Sequence, residues 1–164
     1  MIKENLIFFD TEFSSLNPNV GEILSAGFIK DTGEELYFEI DYSGPTNEWV
    51  KENILPTLKQ EKISKELAVK KIQEFIGDSK PILVAFVNQF DVVYLHKLFG
   101  ENDIPYGWPP IDLATLMVVK GLDVDKYYEN QKEYIKKLGI KGEFIQHNAL
   151  DDARLVKEVY YKIT

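Results

Sequence analysis

The chain has 164 residues, 45% of them hydrophobic and 13% aromatic, which is the size and apolar content of one ordinary domain with a real core. Its formal net charge is −8, which argues against a broad basic surface for long nucleic acid but leaves room for a site that grips only a strand end. Cysteine is absent, so disulfide frameworks and thiolate chemistry are excluded.

The chain opens on Met1-Ile2-Lys3-Glu4-Asn5, a charged tip that runs directly into an apolar stretch. No leader pattern and no apolar run of membrane length is visible, so a soluble cytoplasmic protein without a membrane partner is expected. Residues 6–13, Leu-Ile-Phe-Phe-Asp-Thr-Glu-Phe, read as a strand covered on both faces, and the period of two puts Asp10 and Glu12 on one side. Residues 14–19 form a turn, 22–30 a second strand, 31–33 a hairpin and 34–41 a third strand. In that third strand Leu36, Phe38 and Ile40 mark the buried face, while Tyr37, Glu39 and Asp41 mark the wetter one.

Thr46 or Asn47 caps a short helix that stops near Pro56, and Ser64 caps a longer one ended by Gly77. Residues 81–86 form a fourth strand, and Asn88 caps a helix running to about Phe99, closed by Gly100. A short strand at Ile111 leads into a helix capped by Asp112. Residues 120–146 carry no readable period, and Asn148 caps the final helix. No repeat or linker divides the chain, so residues 1–164 are expected to form one α/β domain. Its five-stranded mixed sheet would join an antiparallel meander to parallel strands, with flanking helices.

Carboxylates carry the chemistry. Two acids at the end of a buried strand are costly to desolvate unless a cation neutralises them, and their oxygens suit a hard divalent ion. Taken alone, such a pair is more often a solvated strand end. Asp91 falls in the first turn of the helix after the fourth strand, where the helix dipole favours an acid with or without a ligand. In the last helix Ala149, Ala153, Val156, Tyr160 and Ile163 mark the buried stripe. At about 100° per residue this phase turns Asp152 inward and Asp151 toward solvent. His147 precedes Asp152 by five residues, and a neutral histidine beside a bound water is a natural general base near pH 7. His96 reads as packing or surface.

Together these residues, Asp10-x-Glu12, Asp91 and His147-x-x-x-x-Asp152, resemble the signature of the DEDDh 3′–5′ exonucleases, which have the ribonuclease H-like fold. The likeness covers nearly the whole chain. Phe9 to Phe13, Trp49 to Pro56, Ala85 to Asp91 and His147 to Ala153 further resemble the RNase T-like exoribonucleases of the small RNase AS type. One departure is Ser14-Ser15-Leu16, where many exonucleases carry a glycine-containing turn.

The resemblance implies two magnesium or manganese ions held by Asp10, Glu12, Asp91 and Asp152. It implies that His147 takes the proton from the attacking water and that nucleoside 5′-monophosphates leave the 3′ end of single-stranded RNA or DNA, with RNA favoured. Phe13 and Leu16 are candidates to wedge against terminal bases, with core packing of Phe13 as the equal alternative. Glu12 or a nearby backbone group is a candidate contact for a 2′-hydroxyl. Lys126, Lys132, Lys136, Lys137 and Lys141, set among tyrosines, are candidate phosphate contacts, although such a run is more often a solvated helix face. RNase T-like relatives are often homodimers, so a homodimer is expected by the same likeness. The competing readings are a DNA-directed proofreading or repair exonuclease, a silent module that only binds nucleic-acid ends, and a purely structural use of the acids.

Overall fold

The computed structural model describes residues 5–164, and the reading of the charged tip, residues 1–4, lies outside the described residues. Strand β1 (Leu6–Phe13) is the axis of the molecule. It pairs antiparallel with β2 (Ile23–Lys30), and β2 pairs antiparallel with β3 (Glu35–Ile40). The β2–β3 turn closes where the Lys30 amide donates to the Glu34 carbonyl, with Gly33 at a φ of 99°. After β3 come α1 (Glu48–Asn53), a single 3-10 turn over Leu55–Thr57, and a two-residue strand β4 (Lys62–Ile63) parallel to β3. Then α2 (Lys65–Ile76), β5 (Ile82–Ala85), α3 (Gln89–Phe99), β6 (Ile111–Asp112) and α4 (Leu113–Val119) follow. Helices α5 (Val124–Glu129), α6 (Gln131–Lys137) and α7 (Ala149–Ile163) complete the chain.

The sheet has six strands in the order β4-β3-β2-β1-β5-β6. It is the mixed, ribonuclease H-like arrangement expected from the sequence, with one more strand than the five anticipated. The added strand is β4, whose two residues carry no period that could announce it.

The alternation of β1 decides what each layer receives. Ile7 and Phe9 enter a core with Phe28, Phe38, Ile72, Leu95 and Phe99, under α2 and α3. Leu6 and Phe8 enter the opposite core with Val84, Met117, Leu155, Val156 and Val159, under α4 to α7. Burial of each such side chain contributes about 1.5–3 kcal/mol. Asp10 and Glu12 continue the Leu6–Phe8 row, so they emerge on the α7 side.

Three local expectations change. The unreadable stretch holds α5 and α6, helices of six and seven residues, too short to show a full period yet anchored by buried Tyr127 and Ile135. Asn88 stands before α3 but makes no side-chain cap, and its amide instead donates to Asp112 Oδ1 at 3.1 Å. Glu39, assigned to the wetter face of β3, is only 1% exposed. The loop after α1 folds over it, and Glu39 Oε1 accepts from the backbone amides of Lys59 at 2.6 Å and Gln60 at 2.9 Å.

Candidate metal centre

Asp10, Glu12 and Asp152 converge, each offering a carboxylate oxygen within 4.8 Å of the others. Two features of the chain bring them together. Asp10 is the register partner of Gly27 on β2, and where Gly27 lacks a side chain the first turn of α7 lies directly on the sheet. The Asn148 side chain caps that turn by accepting from the Asp151 amide at 3.2 Å. Asp152 then lies on the same stripe of α7 as Val156 and Val159, which points inward. The inward placement of Asp152 therefore agrees with the helical phase. Asp151 departs from its solvent-facing assignment: it is held by Arg154 Nη1 at 2.6 Å, and Arg154 in turn grips Glu35. That ion pair covers the outer side of the turn.

Asp91 is brought in by a different device. Strand β5 pairs with β1 only over Leu6–Phe8, so β1 outruns its neighbour. Past that point the Thr11 amide would lack a strand partner, and Asp91 Oδ1 accepts it at 2.9 Å together with the Thr11 hydroxyl at 2.7 Å. Asp91 is thus fixed by the residue between the two β1 acids. It stands beside the three-carboxylate cluster rather than within it, close enough for its charge to act on Asp10. Val87, one residue before the Asn88 that precedes α3, has a φ of 53°, an unfavourable conformation for a β-branched side chain.

His147 has a φ of 63°, also in the left-handed region. Its amide donates to Asp152 Oδ2 at 2.8 Å, its Nδ1 lies 3.7 Å from Glu12 Oε1, and its ring meets Trp49 edge-on at 5.0 Å. Two of the three non-glycine residues with positive φ among the described residues, Val87 and His147, line the same cavity. Strain of this kind persists only where the surroundings hold it.

The cavity has a volume of about 610 Å³. Asp10, Glu12, Asp91, His147 and Asp152 form one side of it, and an apolar rim surrounds them. Phe13 is half-buried and stacks on Tyr94 at 4.5 Å, yet it also lines the cavity, so it serves core and wall together. Leu16 is 67% exposed at the rim. The expected phosphate-binding lysines are otherwise engaged or outward: Lys126 pairs with Asp123 and Lys137 with Glu133. From that stretch Tyr127, Tyr128 and Gln131 reach the cavity instead. The sequence placed these three only within the lysine- and tyrosine-rich candidate phosphate segment, read Asn47 only as a possible helix cap, and gave Gln146 no role. Thr11 and Trp49 were visible only within the stretches that carried the family resemblance.

The electrostatics suit a cation. Burial, followed by the charges of Asp91, Asp152 and Glu12, holds the Asp10 carboxyl well above the ordinary carboxylate range. Burial raises Asp91 to about 7 against the opposing Thr11 hydrogen bonds, and burial with the Glu12 charge raises Asp152 to about 8. The contact with Glu12 raises the His147 imidazole. Mutual repulsion of buried acids is the property that a hard divalent ion relieves, and an all-oxygen donor set fits magnesium or manganese.

A stability prediction follows from these directions. A group whose folded pKa is raised contributes stability that is fully present below its unfolded value, about 4 for these acids, and is lost as pH rises through the folded value. His147 acts in the same sense. Without metal, the melting temperature should fall progressively from about pH 4 to about pH 8, between the unfolded value of these acids and the folded values of Asp91 and Asp152. With manganese the fall should largely disappear, because the cation replaces the proton. Thermal melts in EDTA and in manganese check this, and a flat EDTA profile would contradict it.

No protein-family profile matches the chain. It is 29% identical over 162 residues to the PolC-type DNA polymerase III of Thermotoga maritima, covering 95% of this chain and 12% of the polymerase. The PolC-type polymerase of Thermotoga petrophila is 28% identical, over 97% of this chain and 12% of its own length. The chain therefore spans about an eighth of these relatives. Among solved structures, the zinc-bound form of the E. coli exonuclease I complex with single-stranded DNA superposes with a TM-score of 0.68 at 18% identity. E. coli exonuclease I with a dT13 oligonucleotide gives 0.70 at 17%. Each match covers 98% of this chain and 40% of the exonuclease. The structural likenesses show that this chain shares the fold of the matched part of exonuclease I.

Proposed function

We propose that this chain is a divalent-cation-dependent 3′–5′ exonuclease domain that removes nucleoside 5′-monophosphates from single-stranded ends. The observation that carries the reading is the convergence of Asp10, Glu12 and Asp152 within 4.8 Å, with Asp91 and His147 on the same cavity wall. Asp10, Glu12 and Asp152 would hold magnesium or manganese, with Asp91 behind them. When bound, the cations supply positive charge at the scissile phosphate and make a neighbouring water more acidic. His147 accepts the proton of the attacking water, and the rim of Phe13, Leu16, Trp49 and Tyr128 receives the terminal bases by stacking.

Two sugars compete. The RNase T-like motifs support RNA. The likeness to PolC-type polymerases, and to exonuclease I seated on single-stranded DNA, supports DNA, and it runs over nearly the whole chain. The expected homodimer belongs to the RNase T-like reading and is checked by sedimentation.

The test is a gel assay on 5′-labelled single-stranded RNA and its DNA equivalent, with manganese or EDTA. A ladder shortening from the 3′ end only with metal is expected, and the faster strand identifies the sugar. His147→Ala should slow cleavage by about 10²–10⁴-fold, the usual contribution of a general base. If neither strand shortened, the catalytic reading would fall and the weight would move to an end-binding module.

A further inference from the structure

The backbone of His147 is pinned at both of its polar groups. Its amide is held by Asp152, as described, and its carbonyl lies 2.8 Å from the Thr57 hydroxyl. The same hydroxyl lies 2.8 Å from the Ile54 carbonyl, so its one proton is shared between two acceptors. Thr57 sits 90 residues from His147 in sequence, at the end of the 3-10 turn after α1.

That turn belongs to a small unit with its own footing. Val50 and Ile54 pack with Leu24, Tyr42 and Leu58 in a cluster apart from the two main cores. Beyond Thr57 the chain is tied by Glu39, whose Oε1 accepts from the Lys59 and Gln60 amides and from the Tyr37 hydroxyl at 3.0 Å. Glu39 lies opposite Ser25, and Ser25 lies opposite Glu12, so the anchor and the metal-side acid stand in one row across the sheet. A buried carboxylate is an expensive way to fasten a loop unless the position of that loop matters. On the other side of the unit, Trp49 presses edge-on against the His147 ring.

We propose that Thr57 is a positioning residue for His147: held in place by Glu39, it clamps the His147 carbonyl and keeps the residue in its left-handed conformation, with the imidazole over Glu12. The inference rests on the proposed function for its kinetic consequence, but the placement of the ring is measurable without catalysis. Asn47, Trp49, Val50 and Ile54 of the same unit also line the cavity, so the wall that meets substrate is the wall that holds the base.

The experiment compares Thr57→Val, Thr57→Ala and Thr57→Ser with wild type. The chain has two histidines, so imidazole nuclear magnetic resonance signals are assigned at once from the signal missing in His147→Ala. Loss of the hydroxyl should shift or broaden the His147 ring signals and leave those of exposed His96 in place. In the nuclease assay, Thr57→Val and Thr57→Ala should lower kcat by about 10-fold to 100-fold with KM little changed, since a misplaced base loses rate rather than binding. Thr57→Ser should restore both the signals and the rate.

A merely structural hydroxyl would lower the melting temperature without moving the His147 signals, and that result would overturn the proposal. So would wild-type kcat in both hydroxyl-free variants. If wild type itself fails to cleave either strand, the proposed function falls, while the ring signals still decide the role of Thr57.

Discussion

Asp10→Asn is expected to abolish metal-dependent cleavage and, without metal, to make the protein more stable. The first effect follows from the position of Asp10, on whose carboxyl the charges of Asp91, Asp152 and Glu12 all act. The amide keeps one neutral oxygen but loses the charge and the second ligand oxygen, and a loss of about 10³-fold or more in rate, equivalent to about 4 kcal/mol, is expected. The second effect follows from the same crowding. Desolvation and three like-charged neighbours oppose ionisation of Asp10, so the folded state is strained by its charge. An amide of the same shape removes that charge. Because the site opens on a cavity, solvent screens part of the repulsion, and a gain of about 1–2 kcal/mol is reasonable. For a chain of this size that is roughly 2–8 °C in melting temperature.

The signature is the opposite sign of the two changes. Manganese, which should raise the wild-type melting temperature by binding only the folded state, should raise that of Asp10→Asn far less. Thermal melts in EDTA and manganese, beside the gel assay, read all three quantities. An unchanged EDTA melting temperature with an undiminished manganese shift would place the cation elsewhere.

Gly27→Ala is expected to be destabilising out of proportion to one methyl group. A Cβ at Gly27 would stand 2.5 Å from the Ala149 carbonyl oxygen and 2.5 Å from the backbone of Leu150. These are main-chain atoms of the first turn of α7, and no side-chain rotation relieves the overlap. The helix must shift, and α7 packs across both β1 and β2. Overpacking of this kind costs about 1–3 kcal/mol, or roughly 2–12 °C. The displaced turn carries Asp152, and the register partner of Gly27 on β1 is Asp10. The variant should therefore lose manganese-induced stabilisation as well as melting temperature. Scanning calorimetry with a manganese titration measures both, and wild-type values would show that α7 does not rely on this close approach.

The two cases illustrate which parts of the site are legible in sequence. Asp10 and Glu12 were readable because a strand has a period of two, and Leu6 and Phe8 announce the row that they extend. Asp152 was readable because α7 is 15 residues long, enough for its stripe to select one of two adjacent aspartates. Asp151 was misjudged because its partner Arg154 bridges to Glu35 on β3, a contact 119 residues away. Gly27 gave no signal, since a glycine within a strand has many explanations until the helix above it is seen.

By itself the sequence determined the central strand with its two acids, the caps at Ser64, Asp112 and Asn148, and the inward face of the last helix. Each depends on interactions within a few residues, where helical or strand periodicity and side-chain capping decide the outcome. Only the tertiary structure decided that Asp91 would be held by Thr11, that Glu39 would be buried under a loop, and that Thr57 would clamp His147. Those bonds join residues 80, 20 and 90 positions apart. No local period encodes them. They arise where a strand outruns its neighbour or a loop crosses a sheet, and where a buried polar group must find whatever partner the packed chain brings to it.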